Sequence, residues 1–243
     1  MERLLEITGK LIEGEFLERP NKFTVVVNIA GEKVACHLSD PGRLIKLLIP
    51  RNKILVREKN GDKRKTRYEV IAVFDKESNS WIFLNPAMHT QIIYQILIKK
   101  LLKPLEDYEI VKREFPYKSS RIDFLLRSSS GRKALLEVKG CTYIEDSIAY
   151  YPDAPTKRGV KHLSDLIEAL KEDYEAYVLF LVPRVVQEVR PNWGIDPKFS
   201  RKMIEAYEKG VKFLGVSVIL KKNILYYAGE IVVNPYIPNS LHY

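Results

Sequence analysis

The sequence predicts an α+β protein in two parts: a small β-barrel over residues 1–84, then a mixed α/β sheet domain over residues 85–243. Three observations predict it. Short runs rich in Val, Ile, Phe and Tyr, each ended by a turn, fill the first part and leave no room for a long helix. Pro86 then opens a stretch with apolar residues at helical spacing, after which the elements run α, β, β, β, α, β. Finally, 243 residues with 46% hydrophobic content are enough for two ordinary cores.

In the first part, Leu11 to Glu18, Phe23 to Ile29, Lys33 to Leu38, Lys53 to Glu58, Tyr68 to Phe74 and Ser80 to Leu84 read as strands. Turn signals at Ala30-Gly31, Asn60-Gly61 and Ser78-Asn79 separate them. So many strands in so short a stretch bury themselves most economically in a closed or partly open barrel, of which the OB-fold is the common nucleic-acid-binding type. A purely structural barrel fits the strand pattern as well. Within this part, CHLSDPGRLIKLL at 36–48 holds an Asp40-Pro41-Gly42 turn, followed by Leu44, Ile45, Leu47 and Leu48 as a short helix or bend that plugs the barrel. His37, Asp40 and Arg43 are polar enough for a site, and a capped turn accounts for them equally well.

In the second part, Ala87 to Leu102 places Met88, Ile92 and Ile96, flanked by Ile93, Leu97 and Leu101, on one helical face, and Asn85-Pro86 supplies the start. Glu109 to Tyr117 is a strand. Arg121 to Arg127 and Lys133 to Lys139 form a hairpin around a Ser-Ser-Ser-Gly turn. Thr156 to Lys171 is a helix, Ala176 to Val182 a strand, Pro197 to Lys209 a helix, and Lys212 to Leu220 and Ile224 to Val233 the closing strands. There is no internal repeat and no low-complexity segment.

The hairpin carries the chemistry. Residues two apart on a strand share a face, so Glu137 and Lys139 project together while Leu136 and Val138 face the other way. With Asp123 alongside, two carboxylates and an ammonium form a ligand set for a hard divalent cation, Mg²⁺ or Mn²⁺. The competing reading is a charged pair on an edge strand that discourages aggregation. On the helix after Thr156, Val160, Leu163, Ile167 and Leu170 make the buried stripe, so Arg158 and His162 share the opposite face. That face either meets phosphates, helped by the positive helix end at Thr156, or is simply solvated.

The formal net charge is +9, which favours a polyanionic partner. The excess is focused: Arg51, Lys53, Arg57, Lys59, Lys63, Arg64, Lys65 and Arg67 face only Glu58 and Asp62 between residues 51 and 67. A phosphate-binding surface requires such focus, and a solvated hairpin also shows it. Abundant Lys, Glu, Ile and Tyr with three Gln hint at a thermophilic source. No run approaches the roughly 18 apolar residues of a membrane span, and the N-terminus lacks a signal-peptide pattern, so no membrane partner and a cytoplasmic location are expected. Cys36 and Cys141 lie far apart with no CxxC partner and are expected to be reduced.

The order α-β-β-β-α-β, with Asp123 on its second strand and Glu137-Val138-Lys139 on its third, resembles the PD-(D/E)XK nucleases. SRIDFLL at 120–126, LEVKGCTY at 136–143 and YYPDAPTKRGVKHLSDL at 150–166, with CHLSDPGRL before them, resemble the sugar fermentation stimulation protein family, in the same order along essentially the whole chain. The resemblance implies an OB-like N-terminal domain, a nuclease-like C-terminal domain and a DNA-binding protein connected with sugar (maltose) metabolism. It leaves catalysis open.

In-line phosphodiester hydrolysis then assigns roles. Asp123 and Glu137 hold Mg²⁺ or Mn²⁺, the Val138 carbonyl adds a ligand, and Lys139 orients the attacking water. Such nucleases often carry one further acid on the first strand or helix, and Glu114 sits where a strand would deliver it; a strand-end glutamate beside Lys112 and Arg113 is the plainer account. Arg158, His162 and Thr156, with Arg51, Lys53, Lys63, Arg64, Lys65 and Arg67, are the candidate phosphate contacts. The partner is DNA, single- or double-stranded. It is either cleaved by a metal-dependent deoxyribonuclease, a hydrolase, or bound by a regulator using the nuclease-like domain as scaffold. A different phosphorylated substrate ranks behind both, since no Walker sequence, GxGxxG or nucleophile elbow is present. Oligomeric state is open, a homodimer included.

Overall fold

The computed structural model of the chain describes residues 1–59 and 66–236. Lys63, Arg64 and Lys65 lie outside the described residues. After β1 (Glu2–Glu6), five strands close a barrel: β2 (Leu11–Asn21), β3 (Thr24–Ile29), β4 (Glu32–His37), β5 (Lys53–Glu58) and β6 (Tyr68–Asp75). Pairing runs β2, β3, β4, β6, β5 and back to β2, antiparallel at every step except β4 to β6. This is the predicted OB barrel. Alternate residues fill it, among them Phe16, Val25, Val27, Ile54, Val56, Val70 and Val73. The plug is a single helical turn: the N–H groups of Leu47 and Leu48 donate to the Leu44 carbonyl at 3.0 and 2.8 Å, which buries Leu44 and Leu47 inside.

β7 (Ser80–Phe83) leaves the barrel as a hairpin with β6. Asn85 then accepts an N–H bond from Ala87 at 3.2 Å and caps a 3-10 turn leading into α1 (His89–Ile98). The elements of the second part follow: β8 (Tyr108–Tyr117), β9 (Ser120–Ser128), β10 (Lys133–Gly140), the short hairpin β11 (Tyr143–Glu145) and β12 (Ile148–Tyr151), α2 (Lys157–Leu170) and β13 (Tyr174–Val182). β14 (Glu188–Pro191), α3 (Pro197–Glu208), β15 (Lys212–Lys221) and β16 (Ile224–Val233) complete the described chain. The main sheet reads β8-β9-β10-β13-β15-β16-β1, parallel from β10 through β15 and antiparallel elsewhere.

Each face of this sheet is covered. α2 and α3 bury Leu163, Leu166, Phe199 and Met203 against Val178 and Phe180. On the other side Ile92, Ile93 and Ile96 of α1 pack with Phe124, Leu136 and Leu179, and that core continues into Leu55, Ile71 and Phe83 on the outer wall of the barrel. Barrel and sheet therefore share one apolar cluster. Strand pairing at Leu220 and Trp81 fastens them further, as does Arg184, which reaches Asp75 at 2.9 Å and Glu77 at 3.1 Å.

The α-β-β-β-α-β order is as predicted, with insertions. The β11–β12 hairpin turns at Asp146 and Ser147, both at positive φ, 48° and 61°, without the glycine that would have flagged it. β1 pairs with β16, more than two hundred residues away, so no local pattern announces it. Among the described residues no helix is long and apolar enough to cross a membrane.

Candidate functional site

The site starts where two strands part. β9 and β10 pair up to Leu136 and Phe124 and then separate, while β10 stays paired with β13 as far as Gly140. Asp123 spans the gap: its Oδ2 accepts the Val138 N–H at 2.7 Å. In a strand the N–H and C=O of one residue leave toward the same edge, so the Val138 carbonyl also faces this gap.

Glu137, only 4% exposed, lies beside it. Its Oε1 accepts from the Lys139 ammonium at 2.7 Å and from Nδ1 of His162. Arg158 donates through Nε to Nε2 of His162 at 3.2 Å, so the imidazole proton sits on Nδ1 and points at Glu137. A line of donors, Arg158 to His162 to Glu137, thus fixes the carboxylate and leaves Oε2 buried with no partner. Burial pushes Glu137 upward, but the Lys139 charge and the His162 bond outweigh it and hold the carboxyl below its usual range. For Asp123 the Val138 N–H bond and the Lys139 and Arg158 charges pull the same way and are outweighed. Burial, then the Glu137 charge, push it up to about 6.

The two carboxylates lie on the floor of a cleft of about 600 Å³ walled by both parts of the chain. Lys22 and the Asp40-Pro41-Gly42 turn come from the barrel; His89 and Thr90 from α1; Tyr151 to Thr156, Arg158 and Gly159 from the loop and start of α2. The Asp40 Oδ1 accepts the Gly42 N–H at 2.8 Å, so the capped turn and the cleft wall are the same structure. A Cβ on Gly42 would sit 1.9 Å from Asp153 Oδ2, and one on Gly140 would sit 2.2 Å from the His89 ring, so both positions require glycine for close approach. CHLSDPGRL and YYPDAPTKRG are therefore pressed together across the cleft.

The sequence model of the sugar fermentation stimulation protein RE domain matches residues 87–223, and that of the family's N-terminal OB domain matches residues 17–84. The chain belongs to the sugar fermentation stimulation protein family. The family's homologue in Methanothermobacter thermautotrophicus is 41% identical over 204 residues, 84% of each chain. The one in Methanosphaera stadtmanae is 42% identical over 89% of this chain and 92% of its own. A solved structure of Pyrococcus furiosus SfsA in complex with Ca²⁺ is 29% identical, with a TM-score of 0.87 over 96% of this chain and 100% of that one.

In this family member the structure brings Asp123, Glu137, Val138, Lys139, Thr156 and Arg158 to one cleft. Thr156 caps α2, its hydroxyl accepting the Gly159 N–H at 2.9 Å. Two expectations need correction. Strand register sets Glu114 opposite Asp123, but its φ of 50° turns it outward, where it lies 3.7 Å from Arg121, exposed and away from the cleft. His162 is 3% exposed with both ring nitrogens engaged, so it positions Glu137 instead of meeting a phosphate. The basic stretch also lies elsewhere. Arg51 is exposed on the barrel, Lys53 pairs with Glu13 at 3.1 Å, and Arg67 pairs with Glu58 at 2.7 Å. Lys22 and His89 escaped the sequence reading, because only docking of the barrel on the sheet makes them neighbours of Asp123.

Were Glu137 to hold a divalent cation, His162→Ala would be expected to weaken Mn²⁺ binding by roughly ten- to a hundredfold, the usual cost of removing a group that orients a metal ligand. Calorimetric titration of the folded variant checks this; unchanged affinity would dissociate His162 from the orientation of Glu137.

Proposed function

We propose that the protein is a divalent-metal-dependent phosphodiesterase acting on DNA, with Asp123, Glu137 and the Val138 carbonyl as ligands for Mg²⁺ or Mn²⁺. The observation that carries the proposal is Glu137 Oε2, buried and unpartnered beside a second carboxylate whose charged form is penalised. A divalent cation would satisfy that oxygen and offset the penalty on Asp123, which Lys139 and Arg158 leave in place. Among the described residues no three Asp, Glu, His or Cys side chains converge on one point. That suits Mg²⁺, which takes one or two carboxylates and keeps its remaining positions for water and substrate phosphate, better than a closed structural zinc site. The Ca²⁺ of the Pyrococcus furiosus structure, another oxygen-seeking cation, supports the same choice.

When bound, the metal supplies charge neutralisation at the scissile phosphate and acidifies a water. The chain's own residues do the rest. Asp123 and Glu137 fix the reaction centre, Lys139 directs its ammonium at the attacking water, and Arg158 at the cleft wall holds a non-bridging phosphate oxygen. The cleft's acids, Asp40, Asp123, Glu137 and Asp153, outnumber Lys22, Lys139 and Arg158, so DNA enters it only with the metal present.

A second reading, a non-catalytic DNA-binding regulator of sugar metabolism, is favoured by one observation: Arg51, Lys53 and Arg67 lie outside the cleft, where they can meet a backbone without metal. Incubating plasmid and single-stranded DNA with the protein and Mg²⁺ or Mn²⁺ separates the two. Cleavage stopped by EDTA and reduced about 10²- to 10⁴-fold by Lys139→Ala is expected. Binding without any cleavage selects the regulator, and cleavage undiminished in Lys139→Ala removes this site.

A further inference from the structure

We infer that the strand entering the cleft is single-stranded DNA, received on the barrel rim by Phe23 as a base-stacking platform and by Lys22 as a phosphate contact. The inference rests on the phosphodiesterase reading for what happens at Asp123 and Glu137, and on separate residues for how the strand arrives. The first argument is size. A cleft of about 600 Å³ falls within the range of roughly 300–1,000 Å³ that encloses a ligand of drug size, which suits one or two nucleotides and not the body of a duplex. A single strand, narrower and more pliable than a duplex, brings a backbone phosphate down to a carboxylate that is 4% exposed more readily.

The second argument is the rim. Lys22 lines the cleft, and its neighbour Phe23 is 48% exposed, a large aromatic ring outside every apolar core formed by the described residues. The Lys22 Nζ lies 5.6 Å from the Phe23 ring centroid, so ammonium and ring form one surface. The backbone beneath that surface is braced. Phe23 N–H donates to Asn21 Oδ1 at 2.9 Å, and the Leu38 N–H donates to the Phe23 carbonyl at 2.9 Å. Arg19 donates to the Lys22 carbonyl at 2.8 Å and to the Gly42 carbonyl at 2.6 Å, tying the hairpin tip to the cleft wall. A ring beside a cation is the combination that OB barrels use to hold unpaired bases.

The test uses the full chain in Ca²⁺ and fluorescence anisotropy with a labelled oligothymidine and a hairpin duplex of matched length. The single strand is expected to bind at least about tenfold more tightly. Phe23→Ala should lose about five- to a hundredfold in single-strand affinity, the range carried by one stacked base, and Phe23→Tyr should retain it. Lys22→Gln should lower the slope of log affinity against log salt by about 0.7. Equal affinity for both forms, an unaffected Phe23→Ala, or tighter binding of the matched single-stranded RNA would each overturn the inference. Cleavage assays in Mn²⁺ keep it apart from the phosphodiesterase reading. If neither form is cut while the binding pattern holds, that reading fails and the strand assignment stands; if both forms are cut at one rate, the assignment fails and the reading stands.

Discussion

Glu137→Gln is expected to lower metal-dependent cleavage by on the order of a thousandfold or more while leaving the fold intact. The geometry allows the amide no good orientation. Lys139 and His162 both direct N–H donors at Oε1, so the single carbonyl oxygen of Gln must stay there, and its NH₂ takes the place of Oε2. A donor then faces the place proposed for the cation. Metal ligation supplies several kcal/mol of transition-state stabilisation, and each 1.36 kcal/mol is a factor of ten in rate. Without metal the variant should unfold earlier than the wild type, since Lys139 and His162 lose the carboxylate charge that they hold below its usual range. Added Mn²⁺ should raise the wild-type midpoint and not that of the variant. Single-turnover cleavage and thermal unfolding in EDTA or Mn²⁺ check both halves, and cleavage within tenfold of wild type would remove Glu137 from the site.

What the sequence made legible here is what local periodicity encodes. The alternation along β10 placed Glu137 and Lys139 on one face, and the αβββαβ order set Asp123 on the neighbouring strand, both from patterns a few residues long. Residues joined by docking were not legible. Lys22 and His89 reach the cleft only because Leu55, Ile71 and Phe83 pack the barrel onto α1 and the sheet, and no spacing within either part records that contact. Glu114 shows a different limit. Its register was right, yet a left-handed backbone at one residue sent the side chain out. Helical spacing put His162 beside Arg158, but could not show that this face is buried against a strand carboxylate, which turns a candidate phosphate contact into a positioning group. Likewise the charge of residues 51–67 was counted correctly, whereas Arg57 and Lys59 spend theirs on buried Glu69, and that pairing is visible only once β5 and β6 lie side by side.

Asp123→Asn should stabilise the metal-free protein at neutral pH and destroy its response to metal. Burial and the Glu137 charge raise the folded-state value of Asp123 from 3.8 to about 6, so the native state holds this proton more tightly than the unfolded chain does. For a carboxyl raised on folding, stability declines as pH climbs from about 4 to about 6, and the full penalty applies above that. Its size is on the order of 2–3 kcal/mol. Asn carries no charge and still offers an oxygen to the Val138 N–H, so the variant should gain roughly that amount at pH 7.5 and nothing near pH 4. On the proposed metal-dependent reading Mn²⁺ reverses the order, because the wild-type carboxylate would be a ligand and the amide a poor one. Below about pH 6 the ion must displace the Asp123 proton, and wild-type Mn²⁺ affinity should fall close to tenfold per pH unit. Denaturant unfolding at pH 4.5 and 7.5, in EDTA and in Mn²⁺, gives four comparisons. A variant less stable than wild type at pH 7.5 in EDTA would mean that the Asp123 charge already has a partner within the protein, and the need for a cation at this floor would disappear with it.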